Sequence, residues 1–189
     1  MALLPVAGMA VDLGGIAKGF AGDRSLAVLA DYGVTSALVS LGGNITALGQ
    51  KPDGSPWRVA VKDPKDPESY LCVLSLRDRT VATSGAYERY FEQDGVVYHH
   101  IIDPSTGYPA RSGLLSVTVV SPSGAVADAM STALFVLGEE KGLALWRASE
   151  DFEAVLVRED GTVLITQGLF DQQEFQGAER GYTCEMVSR

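Results

Sequence analysis

The chain has 189 residues, 46% hydrophobic and 21% charged, a length that suits one domain with a buried core and a composition that excludes wholesale disorder. The 15 Lys and Arg against 24 Asp and Glu give a net charge of −9, and so acidic a surface repels phosphate backbones, which argues against a nucleic-acid partner. No run of 18 apolar residues exists, so no transmembrane helix is expected, and Met1 to Val11, apolar but without a basic region or cleavage signature, is not read as a signal peptide.

In chain order, the apolar spacing of Ile16, Ala17, Phe20, Leu26, Leu29 and Ala30 predicts a helix over Gly14 to Tyr32, stopped by Gly33. Thr35 to Leu41 reads as a strand running into Gly42-Gly43. Trp57 to Lys62 and Leu71 to Leu76 alternate as strands and bracket a Pro- and Asp-rich loop, Asp63 to Ser69. Val81 opens another strand, and Phe91 to Asp103 reads as a hairpin turning at Asp94-Gly95. Leu115 to Val120 is a strand, Ala125 to Leu137 and Glu139 to Arg147 are helices, and Ala154 to Arg158 pairs with Thr162 to Thr166 around Asp160-Gly161. This order lacks regular βαβ alternation and points to an α+β fold with a mostly antiparallel sheet. The two cysteines, Cys72 and Cys184, have no CxxC or paired-histidine spacing, so a zinc site is not expected and their pairing is left open.

Four clusters carry chemistry-bearing residues. In Asp12-Leu13-Gly14-Gly15-Ile16-Ala17-Lys18-Gly19 an acid precedes a double glycine at a helix start. The free N–H groups and Lys18 suit an anion, while Asp12 equally suits an N-cap. Gly42-Gly43-Asn44 suits a turn on its own. His99 and His100, the only histidines, point to opposite faces of a strand, so at most one faces a given site as a general base. Asp128 and Thr132 are i and i+4 on an apolar helix. They form either a pair of hard oxygen donors for Mg²⁺ or a solvent-facing Asp beside a Thr bonded back to its own helix.

Taken in order, Asp-Leu-Gly-Gly-Ile-Ala-Lys-Gly, Gly-Gly-Asn-Ile, Thr83-Ser84-Gly85-x-Tyr87, His-Ile-Ile-Asp-Pro-x-Thr-Gly-Tyr-Pro and Ala-Asp-Ala-x-Ser-Thr-Ala resemble the ApbE family, the FAD:protein FMN transferases formerly named thiamine biosynthesis lipoproteins. The resemblance spans about Val11 to Gly138 and implies an ApbE-like domain over residues 1–167, the C-terminal part of the family's fold, with 168–189 as a loosely attached polar tail. It implies Mg²⁺-dependent transfer of FMN from FAD to a Thr or Ser hydroxyl of an acceptor protein, a subunit of a membrane redox complex, with release of AMP. On matching positions, Asp12, Lys18, Ile101 and Ile102 would contact FAD. The Gly15 carbonyl, Asp128 and Thr132 would hold Mg²⁺, and His100 would be the catalytic base.

Family members carry a large portion before Asp-Leu-Gly-Gly, where this chain has eleven residues before Asp12, so part of the FAD pocket is expected from outside the matched segment. The related alternatives are an FAD pyrophosphatase, with water as acceptor, and a truncated, non-catalytic FAD- or nucleotide-binding module. The resemblance suggests the cell envelope, although no export signal or lipoprotein leader is read in this sequence.

Overall fold

A computed structural model describes residues 3–189, the side chain of Pro67 excepted. The first two residues of the Met1 to Val11 stretch thus lie outside the described residues, and Leu3, Leu4, Val6, Met9 and Val11 are exposed. The first helix, α1, covers Ala17–Asp31. It starts later than the sequence predicts because Leu13 to Ile16 form a turn, in which Ile16 and Ala17 both donate to the Leu13 carbonyl.

Next come β1 (Ala37–Leu41) and β2 (Asn44–Leu48), joined at Gly42 and Gly43, whose φ values of 54° and 94° lie in the left-handed region that favours glycine. Then β3 (Trp57–Asp63) and β4 (Asp66–Leu76) form a hairpin. The expected Asp63 to Ser69 loop is mostly strand. Buried Asp63 accepts from the Lys65 amide, which closes the turn at Pro64-Lys65 and lets pairing resume at Asp66.

β5 (Thr80–Gly85) is followed by β6 (Tyr90–Gln93) and β7 (Val96–His99), which turn at Asp94-Gly95 as predicted. A second small hairpin, β8 (Ile102–Asp103) with β9 (Tyr108–Pro109), follows directly. β10 (Leu114–Ser121) leads into α2 (Gly124–Arg147), which is broken at Gly138 with φ 76° and ψ 179°. The break divides α2 where the sequence reading separates two helices. β11 (Glu153–Arg158) and β12 (Thr162–Thr166) are the last predicted hairpin.

The main sheet has seven strands in the order β1-β2-β5-β10-β11-β12-β14, with β14 at Thr183–Val187, and all its pairings but the last are antiparallel. Ala82, Val117, Val119, Ala154, Leu156 and Leu164 share one core cluster with Leu134, Phe135 and Trp146 of α2. Val81, Val120, Val155, Val157, Val163 and Ile165 point the other way, into a cluster with Val59, Val61, Leu71 and Leu74 of the β3–β4 hairpin. Covered on both faces, the central strands read as near-continuous apolar runs. The result is an α+β fold of three layers: helices, the seven-stranded sheet, and a three-stranded sheet.

Residues beyond 167 are not loosely attached. After α3 (Gln167–Phe170), β13 (Gln173–Phe175) pairs with β4 and β14 pairs with β12. Strand pairing uses backbone groups, so a polar composition does not prevent it. Tyr182 anchors the segment by donating to Asp63 Oδ1 at 2.5 Å, and Arg180 Nε donates to Asp63 Oδ2 at 3.1 Å.

Candidate functional site

The site begins where α1 crosses the start of α2. Gly19 and Gly22 are the buried residues of α1, and a β-carbon on Gly19 would overlap the Gly124 carbonyl. Two bare backbones can therefore approach where side chains would hold them apart. Asp23, one turn on, caps α2 from outside: its Oδ1 accepts from the Gly124 amide at 2.7 Å and its Oδ2 from the Ala125 amide at 3.2 Å. That carboxylate satisfies free N–H groups and complements the positive end of the helix dipole.

The same crossing places Asp128, with its side chain only 5% exposed, against α1. Asp128 Oδ2 accepts from the Gly19 amide at 2.9 Å, and Oδ1 lies 3.4 Å from Lys18 Nζ. The Gly19 amide would otherwise donate four residues back, to Gly15. Diverted to Asp128, it leaves the Gly15 carbonyl without a backbone partner among the described residues. The β1–β2 turn closes over Lys18: a β-carbon on Gly42 would stand 3.2 Å from Lys18 Cδ.

Thr132, one turn after Asp128, does not bond back to its own helix. Its hydroxyl lies 2.9 Å from Ser84 Oγ on β5, and Ser84 Oγ is also 2.9 Å from Ser131 Oγ. It is Ser131 that donates to the Asp128 carbonyl, at 2.9 Å. Ser84 reaches α2 because it shares the helix-facing side of β5 with Ala82.

The two histidines differ sharply. His99 is buried, with Nε2 3.0 Å from the Ala110 carbonyl and Nδ1 accepting from the Ile101 amide at 3.3 Å. Its ring meets Phe135 edge-on at 5.6 Å, and burial pushes its pKa below 6.5, with the neighbouring His100 and Arg111 acting in the same sense and the Ala110 bond opposing. His100 is exposed. Its Nδ1 lies 3.2 Å from the Arg89 carbonyl, which can only accept, so this contact needs the proton on Nδ1; in the neutral ring Nε2 is then the acceptor. Phe135 follows Thr132 by three residues, so the histidine pair is anchored about one turn along α2 from that hydroxyl.

Of the other expected residues, Asp12 is exposed and is not a helix cap. Its Oδ1 accepts from the Gly14 amide at 2.6 Å, while the N-cap position of α1 is Ile16. Ile101 is 4% exposed and belongs to the core, whereas Ile102 is 46% exposed. The structure thus joins Lys18, Asp128 and, through α2, Thr132. No hydrogen bond or ion pair among the described residues ties that group to the side chains of Asp12, His100 or Ile102.

Sequence reading gave no role to Asp23, Ser84 or Asn44. Asp23 carries no local signal, because its partners lie 101 and 102 positions away. Asn44, expected in a turn, is 3% exposed and its amide nitrogen is buried without a partner among the described residues. It shares a strand face with Thr46, whose Oγ1 a β-carbon on Gly22 would approach to 2.5 Å, so it faces α1 between Gly22 and Lys18.

Among the described residues, no cluster of three or more His, Cys, Asp or Glu side chains could hold a metal ion. A hard cation here would rest on one carboxylate and neutral oxygens. Asp128, the Thr132 hydroxyl and the unpaired Gly15 carbonyl are such a set, and they fit Mg²⁺ chemistry, which favours oxygen donors and retained water. Among the described residues, no helix is long and apolar enough to cross a membrane.

Comparison with known proteins shows the family. The profile of the ApbE family matches residues 3–156. The FAD:protein FMN transferase of Treponema pallidum is 46% identical over 178 residues, covering 89% of this chain and 49% of that protein. The protein of the same name from Klebsiella pneumoniae (strain 342) is 40% identical, covering 93% of this chain and 53% of its own length. The crystal structure of the ApbE protein of Thermotoga maritima superposes with a TM-score of 0.79 at 41% identity, covering 86% of this chain and 53% of that one. The flavin transferase ApbE of Vibrio cholerae gives 0.70 at 34% identity, with 92% and 52% covered. The chain spans about half the length of the curated relatives it matches. With the profile covering most of the chain and these identities over nearly all of it, the chain belongs to the ApbE family.

Proposed function

We propose that the chain takes part in flavin transfer: FMN moves from FAD to a Thr or Ser hydroxyl of an acceptor protein, and AMP leaves. The observation that supports this reading best is the bond from the Gly19 amide to Asp128, which joins two separate motifs into one oxygen-rich, positively edged corner. The relatives named for this activity share the matched segment. The acceptor class is the one the family implies, a subunit of a membrane redox complex.

The acceptor hydroxyl is a poor nucleophile until a base takes its proton. In this reading His100 Nε2 takes it, with the ring held by the Arg89 carbonyl through Nδ1. The hydroxyl oxygen then bonds to the phosphorus on the FMN side of the pyrophosphate, the bridging P–O bond breaks, and the pair of electrons leaves with AMP. Lys18, 41% exposed at its side chain, adds positive charge beside the phosphoryl oxygens. Asp128, Thr132 and the Gly15 carbonyl would hold Mg²⁺, which when bound neutralises phosphoryl charge. Ile102, rather than buried Ile101, presents an apolar side chain to the flavin nucleotide.

The test mixes the chain with FAD, Mg²⁺ and a threonine-bearing acceptor domain, and reads covalent flavin fluorescence in a gel together with free AMP. Labelling that EDTA abolishes is expected. AMP without labelling would instead identify an FAD pyrophosphatase. Neither product with a validated acceptor would leave a binding-only member of the family and overturn the proposal.

A further inference from the structure

The hydroxyl chain on α2 and β5 has a single consistent arrangement of protons. Each serine or threonine hydroxyl has one proton to donate. Ser131 spends its proton on the Asp128 carbonyl, which can only accept. The 2.9 Å contact between Ser84 and Ser131 must then carry the Ser84 proton. With that proton spent, the 2.9 Å contact between Ser84 and Thr132 must carry the Thr132 proton. The order is Thr132 to Ser84 to Ser131 to the Asp128 carbonyl.

One end of this chain is anchored and the other is free. The Thr132 proton points at β5, so both lone pairs of Thr132 Oγ1 are turned away from Ser84. A cation needs that orientation from a hydroxyl ligand, since a proton aimed at the metal repels it. The relay ends on the carbonyl of Asp128, the residue whose carboxylate is held by Gly19 and Lys18. Main chain and side chain of Asp128 are thus fixed from two directions.

We infer that Ser84 is a positioning residue, which orients the Thr132 hydroxyl so that it presents lone pairs to a hard divalent cation. The inference rests on the reading of Asp128 and Thr132 as cation ligands. Ser84 acts through Thr132, so its effect must vanish when the Thr132 hydroxyl is gone. Partners that orient a ligand commonly account for 10- to 100-fold in metal affinity.

The test titrates Mn²⁺, as a paramagnetic probe of the Mg²⁺ site, into the full chain in the presence of FAD and counts free ion by electron paramagnetic resonance. Ser84→Ala is expected to weaken Mn²⁺ binding about tenfold. In a Thr132→Val background, Ser84→Ala is expected to change Mn²⁺ affinity by less than twofold. Thermal unfolding of each variant in EDTA confirms that folded protein is compared. Wild-type affinity in Ser84→Ala would overturn the inference alone, as would an equal loss in both backgrounds, because a collapsed site weakens binding whether or not Thr132 has its hydroxyl. Failure of the wild type to bind Mn²⁺, or full binding by an Asp128→Asn, Thr132→Val double variant, would overturn the cation reading and this inference with it.

Discussion

Gly19 and Gly124 meet backbone to backbone: each lacks the β-carbon that would strike the other's carbonyl oxygen. This contact sets the depth at which α1 lies on α2, and hence the reach of the Gly19 amide to Asp128. Gly19→Ala would raise intrinsic helix propensity by about 1 kcal/mol. The new methyl meets main chain, which cannot swing aside, and overpacking of this kind costs about 1–3 kcal/mol. The expected outcome is a net loss of stability, read by urea unfolding, with α1 displaced from Asp128.

Asp23 is expected to matter for folding. Removing a helix cap costs about 1–2 kcal/mol, so Asp23→Ala should lower stability by that amount. Asp23→Asn keeps one acceptor oxygen for an amide of α2 and should cost less. Equal Tm values for wild type and Asp23→Ala would contradict the capping role seen at Gly124 and Ala125.

The histidine pair should separate chemistry from stability. His100→Ala is expected to slow flavin transfer about 100- to 10,000-fold, the usual contribution of a general base, with little change in Tm because the ring is exposed. His99→Ala removes a buried ring packed on Phe135 and strands the Ile101 amide, so it should cost about 3 kcal/mol of stability. The measurement is the single-turnover rate beside thermal unfolding for both variants.

Acid should act on His99. Burial holds its folded-state pKa below 6.5, so the unfolded chain binds this proton at a higher pH than the folded one. Stability from the neutral ring is therefore complete above about pH 6.5 and is lost as pH falls from there towards the folded-state value. Unfolding free energies at pH 7.5 and 5.5 should converge less for wild type than for His99→Gln: wild type should lose more on acidification. Parallel losses would show that the ring does not titrate on unfolding.

Tyr182 should pin the C-terminal strands. Tyr182→Phe removes the 2.5 Å bond to Asp63, a carboxylate 1% exposed, and leaves it only Arg180 and the Lys65 amide. A cost of about 1–3 kcal/mol is expected, with faster limited proteolysis between Gly177 and Val187. Tyr70→Phe, at a ring 46% exposed, is the control and should stay within about 0.5 kcal/mol of wild type.

Much of the local structure was legible in the sequence because its causes are local. Asp94-Gly95 takes φ values of 52° and 73°, which those residue types tolerate, and the hairpin follows. Gly138 breaks α2 at the place the periodicity pauses. The i, i+4 spacing of Asp128 and Thr132 follows from the helix period alone. The motifs that identify the family are contiguous, so they too could be read directly.

The tertiary structure decided which of those residues meet. His99 ends β7 and His100 lies just beyond it, and Phe135 and the Ala110 carbonyl, supplied by other elements, decide that His99 is the buried one. Polar composition suggested a loose tail, yet β13 and β14 pair through backbone groups that composition does not register. Gly19 with Asp128, Asp23 with α2 and Ser84 with Thr132 join positions separated by 109, 101 and 48 residues. Such bonds have no local signature: they form only when two helices with bare glycine backbones cross closely and a strand presents one serine to the helix above it.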